Sequence, residues 1–97
     1  MSTPLRWAYP ESYKVLRKLS EEIGVHTYEY EALVDTGTPS DQVVKLQRNT
    51  NAWSQAFDPE ELRDASASVM NFFSAAIREM ADKAEQDYRN FMNHHEV

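Results

Sequence analysis

Cysteine is absent from this 97-residue chain, glycine occurs twice and proline four times. Without cysteine there is no disulfide framework, no thiolate nucleophile and no thiolate zinc site, and the reading that follows is a chain suited to the reducing cytoplasm. No apolar run approaches the ~18 residues that a membrane span needs. The segment from Met1 to Pro10 has no long apolar stretch of the kind that signals secretion. Also missing are a glycine-rich phosphate loop, a nucleophile beside a base, paired carboxylates in an apolar setting and metal-ligand spacing. The expectation is therefore a protein with no catalytic residue, no cofactor and no metal. The adjacent His94 and His95 read as a polar tail, and His26 reads as a turn residue.

What is present argues for a folded chain. Hydrophobic residues make up 41% of it and aromatics 11%, too rich for a disordered segment. At this length residues 1–97 form one domain, with little core to spare for a deep pocket. The formal charge of -6 is uneven, with net values of +1 over residues 1–24, -2 over 25–57 and -5 over 58–97. Such an acidic far end disfavours wrapping around nucleic acid and suits a partner with a basic surface.

Punctuation and periodicity predict an all-α fold of three or four helices, the shorter ones packed along one long C-terminal helix. Three prolines follow residues able to cap a helix, in Thr3-Pro4, Thr38-Pro39 and Asp58-Pro59. A first helix is read over Pro10 to Ile23, with Leu16, Leu19 and Ile23 on one stripe. Gly24 closes it, and Val25 folds back onto the cap. From Val25 to Thr36 the alternation of Tyr28, Tyr30, Ala32 and Val34 is strand-like, but no second strand offers itself as a partner. A short helix capped by Thr27 and ended by Gly37 is favoured, with an edge strand paired across a dimer as the alternative. Over Pro39 to Phe57, Val43, Leu46, Thr50, Trp53 and Phe57 give a 3-4-3-4 helical seam, which the poor helix formers Asn49-Thr50-Asn51 threaten to split.

The strongest local signal is Asp58-Pro59-Glu60-Glu61, an N-cap with proline at N1 and glutamate at N3. It predicts a helix over about 59–93. Apolar or small residues then recur every eleven, as in Leu62, Phe73, Ala84 and Val69, Met80, Phe91, which is the period of a nearly straight helix lying across its own domain. Glu79 to Lys83 and Glu85 to Arg89 are acid-before-base pairs on its outer face.

The stretch from Leu16 to Val34 resembles the helix-turn-helix of DNA-binding regulators, with Ser20, Gly24, Val25, Tyr30 and Leu33 at that motif's small, glycine and apolar positions. The resemblance implies a transcriptional regulator whose nucleic-acid contacts would be Lys14, Arg17, Lys18, His26, Thr27 and Tyr28. Two glutamates, Glu29 and Glu31, would then face a polyanion, which argues against that use.

Aromatic residues point elsewhere. Tyr, Trp and Phe anchor protein interfaces because each covers a large area with few rotors to freeze, and Phe72 falls about 60° outside the main stripe of the last helix at 100° per residue. Elimination leaves a small, acidic, non-enzymatic protein-binding regulator, inhibitor or adaptor. Its candidate interface residues are Tyr28, Tyr30, Phe72 and Glu79. The alternatives are the DNA-binding regulator and a structural helical homodimer.

Overall fold

The computed structural model describes the backbone of residues 2–35 and 41–95 and the side chains as far as 86. It is a mixed α/β domain, with a four-stranded antiparallel sheet carrying helices on one face. In chain order come β1 (Ser2–Pro4), α1 (Leu5–Ala8), α2 (Pro10–Ile23), a 3-10 turn (Thr27–Glu29), β2 (Glu31–Asp35), β3 (Gln42–Arg48), β4 (Asn51–Phe57), α3 (Pro59–Asp64) and α4 (Ala67–His95). The strands lie in the order β1-β2-β3-β4, each antiparallel to the next.

The all-α expectation is thus overturned, and the helical-bundle description with it. In place of the short helix expected over Val25 to Thr36, a single 3-10 turn leads into β2, which is an interior strand and not an edge. The alternation read there is real: Tyr30 and Val34 point to the core, and Ala32 between them is half-buried. The missing partner strand lay in the next segment. The seam from Val43 to Phe57 is the hairpin β3–β4, whose true period is two, with Gln42, Val44 and Leu46 buried and Val43 and Lys45 exposed. Leu46, Trp53 and Phe57 satisfy a helical template and a strand template alike. Asn49-Thr50 is the turn, and Asn49 takes φ 55, a left-handed conformation that asparagine tolerates better than most residues.

Register fixes the two faces. Val34 opposes Val44, Leu46 opposes Trp53 and Gln42 opposes Phe57 on the helix side. Pro4, Leu33, Lys45 and Ser54 form one cross-strand row on the other side, which no described element covers. Antiparallel sheets accept one wet face in this way. Above the inner face, Leu5, Leu16, Leu62, Val69, Phe73, Ile77 and Met80 complete a continuous core.

The helix over Pro10 to Ile23 has its expected ends. Gly24 sits at φ 99, its N–H and that of Val25 both return to the Ser20 carbonyl, at 2.8 and 2.9 Å, and Val25 is buried. The Asp58 start also forms, with the Glu61 carboxylate accepting the Asp58 N–H at 3.3 Å. Of the other two proline starts, Thr38-Pro39 lies outside the described residues, and Pro4 ends β1 immediately before α1.

The single helix expected over 59–93 is instead two. Ala65 turns left-handed at φ 51, and the N–H groups of Ala65 and Ser66 both donate to the Glu61 carbonyl. In an unbroken helix Ser66 would donate to Leu62; here the Leu62 carbonyl accepts the hydroxyl of Ser12 on α2. Ser66 then starts α4, its side-chain oxygen accepting the Val69 N–H at 3.4 Å. Leu62, Val69, Phe73, Ile77 and Met80 are all buried, so the stripe is correct although the helix beneath it is jointed. At 1.5 Å per residue the 29 residues of α4 span about 43 Å, well beyond the sheet it crosses.

Candidate functional site

The segment between α2 and β2 presents alternate side chains to the core and to solvent. The Gly24 cap reverses the chain, and His26 and Glu29 then pin the next turn, the Glu29 carboxylate accepting the His26 N–H at 2.8 Å. This turn holds Tyr28 outward. Its ring stacks on His26 at 5.1 Å and 6°, and 83% of the residue remains exposed. Two residues on, Tyr30 turns inward. Its hydroxyl lies 2.6 Å from the Ser20 hydroxyl, which is itself within 2.9 Å of the Leu16 carbonyl.

Burial raises the Tyr30 phenol above its ordinary value of 10.0; the Ser20 bond lowers it in part, and neighbouring Tyr13 raises it further. The folded pKa thus exceeds the unfolded one. Stability from this group is complete below pH 10 and is lost as pH rises through the folded value. Urea midpoints measured between about pH 9 and pH 11 should therefore fall more steeply for the wild type than for Tyr30→Phe. Parallel curves would show that the buried phenol does not drive the alkaline loss.

Beside this turn a cleft of about 220 Å³ opens, lined by Pro4, Arg6, Tyr13, Thr27, Tyr30 and Glu31 together with Ala32 and Leu33 of β2. The volume is below that of usual small-molecule sites, ~300 to 1,000 Å³, and suits a single inserted side chain. Arg6 lies in its wall, with the guanidinium 5.7 Å from the centre of the Trp7 ring, and Trp7 is 71% exposed. Tyr28 lines two neighbouring depressions that share Thr27, Tyr30 and Glu31 with the cleft. The recess thus has one cation, Arg6, and one carboxylate, Glu31, in its walls, with Trp7 beside the Arg6 guanidinium and Tyr28 on the adjoining surface.

The four candidate interface residues are not gathered in one place. Tyr28 stands in the open and Tyr30 in the core. Phe72 is half-buried on α4, edge-on to Phe57 at 5.7 Å and tilted against Phe73 at 5.9 Å. Glu79 is exposed on α4 and accepts the indole N–H of Trp53, in place of the expected bond to Lys83. Arg89, the other expected cation, lies outside the described side chains, as do His94 and His95.

The residues suggested as nucleic-acid contacts fall on two elements. Lys14, Arg17 and Lys18 share the exposed surface of α2 with Glu21, and two of them form ion pairs, Lys14 with Glu11 at 3.2 Å and Arg17 with Glu21 at 3.6 Å. Thr27 and Tyr28 sit in the 3-10 turn and His26 caps it. The helix-turn-helix resemblance is not realised in the backbone, because β2 stands where a recognition helix was expected. Among the described residues no cluster of three metal-ligating side chains occurs, and no helix is long and apolar enough to cross a membrane.

Arg6 and Trp7 belong to the four-residue α1 and half-buried Tyr13 to α2, and no local sequence pattern marks that these residues meet Glu31 of β2 around one recess. No protein-family model matches the chain, and no curated protein or solved structure matches it.

Proposed function

We propose that this protein is a non-enzymatic, protein-binding regulator, inhibitor or adaptor that grips a partner through the recess between α1 and the 3-10 turn. The observation that carries this reading is the exposure of Trp7 and Tyr28 beside a cleft walled by Arg6 and Glu31. Large aromatic side chains left in water at the rim of a pocket are the chemistry of interface hot spots, where Trp, Tyr and Arg predominate. The net charge of -6 favours a partner with a basic surface, and the cysteine-free chain suits the cytoplasm.

A photoreactive phenylalanine analogue at position 28, compared with one at Glu60 on α3, would capture the partner in cells of the source organism. Binding of the purified partner should then weaken ~30-fold for Trp7→Ala and again for Tyr28→Ala, as expected of hot spots. Unchanged affinity in both variants would remove this surface from the reading. DNA binding through the Leu16 to Val34 element is not proposed, since it required the second helix.

A further inference from the structure

The two edges of the sheet are treated differently. On one side β1 is three residues long and ends in Pro4, both of which discourage another strand from adding to it. On the other, β4 runs seven residues, Asn51–Phe57, in unbroken register with β3, and it contains no charge, no proline and no bulge. Those are the devices by which edges are normally protected.

The hairpin also fixes which groups face outward. Across a two-residue turn the flanking pair, Arg48 and Asn51, exchanges hydrogen bonds, and so does every second pair after it: Leu46 with Trp53, Val44 with Gln55, Gln42 with Phe57. The backbone N–H and C=O groups of Ala52, Ser54 and Ala56 therefore point away from the sheet. Among the described residues no strand receives them.

We propose that β4 pairs antiparallel with β4 of a second copy, about a twofold axis at Ser54, making one eight-stranded sheet. The sequence Ala52-Trp53-Ser54-Gln55-Ala56 is close to symmetric about its centre, so the pairing repeats itself under the axis. Ser54 exchanges hydrogen bonds with Ser54 of the second copy, and Ala52 with Ala56 in both directions. On the open face these small residues meet without steric conflict and without like charges opposed. On the helix face Trp53, already held by Glu79, lies opposite Gln55 of the second copy, an exposed side chain beside which the half-buried indole has surface to cover. This near-symmetry favours a second copy over an unrelated extended peptide. The pairing is independent of the cleft, which borders β1 and β2 at the far side of the sheet.

Light scattering of the full chain from micromolar to sub-millimolar concentration should show the mass rising from 11.3 kDa towards twice that value. Ser54→Lys opposes two cations at the axis and should hold the mass at 11.3 kDa throughout. Amide exchange supplies the register. In the wild type at high concentration the Ala52, Ser54 and Ala56 amides should be protected, and in Ser54→Lys they should exchange freely. The inward Trp53 and Gln55 amides should stay protected in both, which shows the variant folded. A monomer at every concentration would overturn the proposal, even if another protein's strand were later found on this edge. So would a dimer that Ser54→Lys leaves intact, or one whose three outward amides exchange freely.

Discussion

Replacing Phe73 with alanine is expected to destabilise the domain by about 3–5 kcal/mol, the usual loss for a large aromatic removed from a closed core. Phe73 is fully buried and belongs to the cluster joining α2, α4 and the sheet, with Phe72 tilted against it at 5.9 Å. The neighbours cannot close the gap readily. Leu62 is fixed by α3, whose last turn is anchored to Ser12, and Leu16 lies on a helix closed by the Gly24 cap and tied to α3 by that same Ser12. Since domains of this size have about 5–15 kcal/mol in total, the variant loses much of its stability. Urea unfolding should show a midpoint far lower with an unchanged slope. Met70→Ala, on the exposed side of the same helix, should fall within about 0.5 kcal/mol of wild type. Similar losses in both variants would mean that the core is not where α4 places it.

Ser12→Ala is expected to cost about 1–3 kcal/mol, more than the loss of one ordinary hydrogen bond. Ser12 is fully buried on α2, and its hydroxyl donates to the Leu62 carbonyl, fifty residues away in sequence. The α3–α4 joint has already diverted the N–H of Ser66 to Glu61, so without Ser12 that carbonyl has no donor in the described backbone. A carbonyl left dry and unpaired costs its full desolvation. The alternative is re-formation of a straight helix, which would pull Leu62 from the core. Chemical denaturation reads the loss, and amide exchange at Ser66 distinguishes an unpaired carbonyl from a remodelled joint. A variant as stable as wild type would show that water replaces the hydroxyl without cost.

These residues mark the line between what was legible in the sequence and what was not. Pro10–Ile23 with Gly24, and the Asp58 to Glu61 start, were readable because a cap is decided within a few residues. The sheet was not, because β2 is recognisable as a strand only when its partners are known, and Leu46, Trp53 and Phe57 fit helical spacing by coincidence. Val44 held the distinguishing signal: buried at i+2 from Gln42 and i-2 from Leu46, it fits a strand and no helical seam through Val43. The joint at Ala65 was obscured because alanine is a good helix former and sits inside an unbroken apolar stripe; its one local marker is Ser66, an N-cap residue type that restarts the helix as α4. At the site, Tyr28 was legible as an aromatic among polar neighbours, whereas Tyr30 carries the same chemistry and lies inside. Only the pleat separates them.

The Ser12 to Leu62 bond also bears on how the chain is made. Synthesis delivers α2 and the three long strands before α3 and α4, so Leu16, Val34, Val44 and Leu46 emerge from the ribosome ahead of the helix that covers them. The β3–β4 hairpin closes on its own within microseconds, but it has no lid for the time, at ~5 to 20 residues per second, that translation takes to reach Met80. During that interval the nascent domain exposes both an apolar sheet face and the uncharged β4 edge.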